Sequence, residues 1–149
     1  MTDIQVVDAI QFESGMYLVH PYRRIKSMGS IATPPYVVKH DISYYELAKT
    51  VVDTLKFSTV GISSTKEEEK LFHKDNVKKT GIKNDKMLHE KSKLVTVFTK
   101  ENKYHFHPSV NKGSRVGFIG IKEARMVIPQ ESSLEQLANA LEEAFSKCI

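Results

Sequence analysis

The side chains best suited to catalysis or metal binding gather on one short stretch, Tyr104-His105-Phe106-His107-Pro108, with Lys103 just before it. Alternate residues of a strand share a face, so His105 and His107 would present two imidazoles side by side. Two imidazoles can begin a metal site, but such a site needs further ligands and oriented partners. His20, at the end of the comparable stretch Tyr17-Leu18-Val19-His20-Pro21, is the one suggestive third ligand. The same two histidines with Lys103 could do acid-base work on a phosphodiester, yet no nucleophile-base pair or carboxylate cluster accompanies them. There is no G-x-x-x-x-G-K-S/T phosphate loop and no G-x-G-x-x-G turn. The plainer reading is exposed strand histidines, with no catalytic residue, no metal and no cofactor.

What must position these residues is a pattern that occurs twice. Ser43 to Ser58, SYYELAKTVVDTLKFS, is echoed by Ser133 to Cys148. In both, a serine precedes Glu46 or Gln136 by three residues, the capping-box arrangement that satisfies free amides at a helix start. Leu47, Ala48, Val51, Val52 and Leu55 form one stripe, and Leu137, Ala138, Leu141, Phe145 and Cys148 repeat it, so each helix has one face to bury. A shift of 90 residues also lays Val37-Val38 on Val127-Ile128, and a shift of 87 lays Tyr17–Pro21 on Tyr104–Pro108. The repeat is one of pattern more than identity.

In chain order, Ile4–Phe12 and Met16–His20 read as a hairpin around Glu13-Ser14-Gly15, with Pro21 ending the second strand. Tyr22–Lys26 reads as a third strand, Gly29–Pro35 as a turn region and Tyr36–Lys39 as a fourth strand. Gly61 is expected to stop the first helix. Residues 61–92 read as a charged insertion holding one surface helix, capped by Ser64 with Glu67, anchored by Leu71 and Phe72 and stopped at Gly81. Lys93–Thr99, a turn at Lys100–Lys103 and Tyr104–His107 form the second hairpin. Arg115–Ile121 and Ala124–Ile128 then read as strands before the last helix. The expected fold is α+β: two β-β-β-β-α units, about residues 1–60 and 93–149, with antiparallel sheets packed together and an extra helix inserted between them. One domain over residues 1–149 is expected.

Composition limits the function classes. The chain of 149 residues carries 22 basic and 18 acidic side chains, a formal net charge of +4. By region the balance is even over residues 1–62 and two positive in each of 63–92 and 93–149, so no dense cationic patch marks a nucleic-acid binder. One cysteine, Cys148, excludes an internal disulfide and reads as a packed thiol. No apolar run suits a membrane span, and acids stand near the N-terminus where a signal peptide carries bases, so a cytoplasmic location is expected.

The motif Ser43-Tyr44-Tyr45-Glu46-Leu47-Ala48 with Leu55 and Ser58, the terminal segment VIPQESSLEQLANALEEAFSKC and the middle segment GIKNDKMLHEKSKLVTVF together resemble the contact-dependent growth inhibition (CDI) immunity proteins of bacteria. Alanine stands at Ala48 and Ala138 where that family frequently has glycine, and the middle segment lacks tryptophan. The resemblance implies a non-enzymatic antitoxin that binds the C-terminal toxin domain of a large secreted protein, often a nuclease, and occludes its active site. The β-β-β-β-α repeat is also similar to the Whirly architecture, whose members bind single-stranded nucleic acid. In that alternative Tyr22, Arg23, Arg24 and Tyr36 would supply stacking and phosphate contacts.

A protein-binding surface needs only shape, a few anchors and complementary charge. Tyrosine and arginine are common anchors, which singles out Tyr22, Arg23, Arg24, Tyr44 and Tyr45. Glu67, Glu68 and Glu69 form the local acidic cluster that would pair with a basic toxin despite the net positive charge.

Overall fold

A computed structural model describes residues 4–25, 29–61 and 65–149. Lys26, expected at the end of a strand, and Ser64, expected as a helix cap, lie outside those residues. The elements are β1 (Val6–Phe12), β2 (Met16–Ile25), β3 (Gly29–Ala32), β4 (Val37–His40), α1 (Tyr44–Leu55), β5 (Thr59–Gly61), α2 (Lys66–Thr80), α3 (Asp85–His89), β6 (Ser92–Lys100), β7 (Lys103–Asn111), β8 (Phe118–Gly120), a 3-10 turn (Lys122–Ala124), β9 (Met126–Pro129) and α4 (Leu134–Lys147).

The fold is α+β, and the two β-β-β-β-α units meet by sharing one sheet, in the order β3-β2-β1-β6-β7-β8. β4 and β5 also pair with β2, and β9 with β7; β2–β5 is the parallel pairing. β1 and β6 form the junction, antiparallel and in register from Val6 opposite Phe98 to Phe12 opposite Ser92.

The two hairpins are built alike. Val7 faces Pro21 in the first and Val95 faces Pro108 in the second, so β1 maps onto β6 by 88 residues and β2 onto β7 by 87. Glu101 and Asn102 turn the second hairpin with φ of 54° and 61°, the double positive φ that a two-residue turn between twisted strands requires. In the first, Gly15 has φ of 95°, and a Cβ there would lie 2.2 Å from the Asp41 carboxylate.

Pro21 was expected to end its strand, and it does not. Its carbonyl accepts from Thr33 N at 3.1 Å, so the side of β2 where its missing N–H would point is the side facing β3 and β4. There β4 pairs no further than Val19 and β3 begins at Tyr22, so no ladder bond is forfeited. Pro108 repeats the device, accepting from Ile121 N at 2.9 Å.

Other boundaries also move. Gly29–Ala32 is a strand rather than a turn, and Gly61 closes the short β5 while α1 already ends at Leu55. Between Arg115 and Ile121 only Phe118–Gly120 pairs, and the insertion holds a second short helix, α3. The 90-residue shift holds for the helices but not for the strand before them. Val38 faces Leu18 while Val127 faces His105, a shift of 89 from β4 to β9. One residue of slip exchanges sheet faces. Val37, Met126 and Ile128 therefore pack under the helices, and Val127 is exposed.

The two repeated helices, α1 and α4, are capped as expected. Ser43 accepts from Glu46 N at 3.2 Å, and Ser133 accepts from Gln136 N at 3.2 Å while Gln136 returns the bond to Ser133 N at 2.8 Å, so only α4 closes the full box. Their stripes, Leu47, Ala48, Val51 and Leu55 with Leu137, Ala138, Leu141 and Phe145, pack together over Val7, Ala9, Val19, Val95, Val97 and Phe106 on one face of the sheet. In the insertion, α2 is capped by Thr65, which accepts from Glu68 N, and stops at Gly81 with φ of 74°. The insertion is more than a solvated face. Phe72, Ile82 and Leu88 pack against Ile10, Phe12, Leu18 and Tyr36 and cover one end of the sheet's second face.

A candidate binding cavity at the junction of the two units

The rest of that second face mixes apolar and polar side chains. Residues directly opposed across a sheet share a face. The pairings His20–Asp8, Asp8–Thr96 and Thr96–His107 therefore draw a row of four polar side chains across β2, β1, β6 and β7. The row is symmetric under the unit repeat: Asp8 maps onto Thr96, and His20 onto His107. An approximate twofold relation thus runs between Asp8 and Thr96.

At that point the surface opens into a cavity of about 480 Å³ lined by Val6, Asp8, Tyr22, Ser30, Leu94, Thr96 and Phe118. Three pairs of equivalent positions supply most of the wall. Val6 maps onto Leu94 and Asp8 onto Thr96. Ser30, opposite Arg24, maps onto Phe118, opposite Asn111. Phe118 is held by ring stacking on His89 of α3 at 4.6 Å.

Asp8 is the charged group in the wall and is only 4% exposed. Its Oδ1 accepts from Thr96 Oγ1 at 2.7 Å and its Oδ2 from the Tyr22 hydroxyl. Burial, and then the Asp8 carboxylate, push the Tyr22 phenol above its ordinary range, so this hydroxyl stays a donor. His20 Nε2 stands 4.0 Å from Asp8 Oδ2, beyond hydrogen-bond distance, while its Nδ1 lies 3.2 Å from Pro21 O. Beneath the cavity, Ser58 Oγ accepts from Val6 N and donates to Tyr22 O, both at 2.9 Å, fixing two of the lining residues to the end of α1. Its counterpart 90 residues on is Cys148, whose Sγ lies 3.5 Å from Leu94 O. Burial raises that thiol's pKa, so it acts as packing with a weak donor.

His105 and His107 do share a face, but Phe98 lies between them, stacked on His105 at 4.6 Å and edge-on to His107 at 4.8 Å. Burial, then the Arg125 and His105 charges, hold His107 below its ordinary pKa. His20 is three strand spacings from His107, roughly 14 Å, and cannot join it on one metal. Among the described residues no group of three or more potential metal-ligating side chains converges.

The expected contact residues divide into separate groups. Tyr22 lines the cavity, and Arg24, two residues on along the same face of β2, pairs with Ser30. Arg23 Nη1 is tied to Glu68 Oε1 at 2.8 Å and lies over the Phe72 ring, so it fastens α2 to the sheet. Glu67 and Glu69 are exposed on the same helix turn. Tyr44 lies under the other face: its hydroxyl accepts from Gln11 Nε2 at 3.1 Å and its ring packs on Phe145. Tyr45, beside it, is exposed. Sequence reasoning found Tyr22 but missed Asp8, Thr96, Ser30 and Phe118. The available signal was a strand apolar on both faces: Val6 and Ile10 flank Asp8 on its own face, with Val7 and Ala9 on the other.

The comparisons with known proteins agree with this architecture. A family model described as CdiI, CDI immunity protein, matches residues 9–148. The chain therefore belongs to the CDI immunity protein family. Two solved structures share its fold at 15% identity. One is the CdiA-CT/CdiI toxin and immunity complex from Yersinia pseudotuberculosis, with a TM-score of 0.78 and 99% of each chain covered. The other is a protein of unknown function from Neisseria meningitidis, with a TM-score of 0.76 and all of each chain covered. No match was found among curated proteins. None of the described helices is long and apolar enough to cross a membrane.

Proposed function

We propose that this chain is a single-domain cytoplasmic immunity protein that binds the C-terminal toxin domain of its own CDI system and blocks the toxin's active site by occlusion. The carrying observation is the family match across residues 9–148. The fold shared with one component of a solved toxin and immunity complex supports it. The toxin in this reading is a nuclease, and the chain is a stoichiometric inhibitor with no catalytic step of its own. Tyr22 in the junction cavity and Arg24 outside its lining, with the exposed Tyr45, Glu67 and Glu69, are the contacts retained from the sequence; Arg23, Glu68 and Tyr44 act first as internal fasteners.

The single-stranded nucleic-acid alternative loses support on particular residues. Tyr22 is bonded to Asp8, and Arg23 is paired with Glu68. Tyr36 is buried, its phenol pushed up to about 12 by burial and then by the Asp75 charge. Of the four expected contacts, Tyr36 offers no free ring and Arg23 no free cation to a base or phosphate. Mixing the chain with the toxin domain encoded beside it tests the proposal: one-to-one binding with loss of toxin activity is expected, and undiminished toxin activity in excess chain would refute it.

A further inference from the structure

Resting on that reading, we infer that the junction cavity is the anchor pocket for a basic side chain of the toxin, a lysine or arginine whose charged head reaches Asp8. Buried charges in folded proteins are normally paired or bound to a metal, because an isolated carboxylate loses its hydration without compensation. Asp8 is buried yet has two hydroxyls for hydrogen-bond partners, the His20 ring nitrogen at 4.0 Å, and no lysine or arginine within salt-bridge distance among the described residues. A carboxylate offers about four lone-pair positions, so two hydroxyl donors leave it able to accept more.

The wall around it fits a cation rather than an anion or an apolar group. Among the described residues the lining contains no lysine or arginine. Arg24, the next cation along that face of β2, stands opposite Ser30 outside the lining. Phe118 and Tyr22 offer aromatic surface to the stem and head of a basic side chain. The approximate symmetry makes the specialisation visible. At three equivalent pairs of positions one unit supplies Val6, Asp8 and Ser30 and the other supplies Leu94, Thr96 and Phe118, so the carboxylate comes from one side and the bulky wall from the other. Such a pocket would let a chain of net charge +4 bind a basic partner. The attraction is local, at a desolvated carboxylate, where a charge pair slows dissociation more than it speeds encounter.

The test compares the chain with Asp8→Asn. Asparagine keeps an acceptor for Thr96 and a polar partner for Tyr22, so the variant should melt close to the parent. Its toxin affinity should fall by roughly 50-fold, carried by faster dissociation, as loss of a central charged anchor does. Parent and variant binding the toxin domain with affinities within twofold of each other would overturn the pocket and leave the immunity reading standing. Failure of the parent to bind would overturn both.

A second measurement needs no variant. N-acetyl-arginine amide at about 10 mM, the range in which a single weak anchor is detectable, should shift the nuclear magnetic resonances of Tyr22, Thr96 and Phe118. The neutral citrulline analogue should not. Equal shifts with both compounds, or none with either, would contradict a cation pocket.

Discussion

The two units of this chain differ least where they pack and most where they meet. Under the helices the equivalents are nearly interchangeable: Tyr17 with Tyr104, Pro21 with Pro108, Leu47 with Leu137, Ala48 with Ala138, Val51 with Leu141. Around the junction cavity they diverge: Asp8 against Thr96, Ser30 against Phe118, and Tyr22 against Ser109. Packing asks only for apolar volume of the right size, which either unit can supply. A binding pocket on a symmetric seam needs its two sides to do different things. The pattern of likeness and divergence therefore separates the residues that hold the fold from those that give the face a use.

The largest effects are expected on the packed side and should be alike in the two units. Leu141 and its counterpart Val51 are fully buried between α1, α4 and the sheet. Leu141→Asp or Val51→Asp places a carboxylate in that apolar site and should cost more than about 4 kcal/mol, enough to abolish cooperative unfolding in urea. A folded, cooperative variant of either would break the equivalence of the helices.

Intermediate effects should distinguish the units. Ser58→Ala leaves Val6 N–H and Tyr22 C=O without their shared partner and should cost about 1–3 kcal/mol. Cys148→Ala, at the equivalent place, removes only two long thiol contacts, to Leu94 O and Ala144 O, and a small buried volume and should cost less than its counterpart. Equal losses in denaturant titrations would mean the two staples act alike.

The smallest effect is a pH slope. Burial, Arg125 and His105 favour neutral His107 in the folded chain. Below about pH 6.5 the unfolded chain binds more protons at this residue than the folded one, so stability should rise with pH up to that point and fall as the pH drops below it. His107→Gln should flatten the slope below about pH 6.5. An unchanged slope would place the titrating group elsewhere.

What was legible in the sequence was local. The capped helices with their apolar stripes, the second hairpin turn and the Gly81 stop all read correctly, because each depends on residues a few positions apart. The prolines misled because their tolerance depends on which neighbouring strand stops where, a property of the assembled sheet. The charged insertion read as one surface helix because its apolar packing rests on Phe72, Ile82 and Leu88, spread over two helices and the link between them. The cavity was the least legible part. Asp8, Thr96 and Phe118 lie far apart in sequence and meet only through cross-strand register, which a one-residue slip would undo.

The most direct test of the central claim is a calorimetric titration of the chain into the toxin domain encoded beside it, with a single-stranded oligonucleotide as the control ligand. One-to-one binding to the toxin domain in the nanomolar range, with loss of toxin activity at equivalence and no oligonucleotide binding, is the predicted result. Absence of toxin binding, with oligonucleotide binding that weakens steeply between about 50 and 200 mM salt, would contradict it.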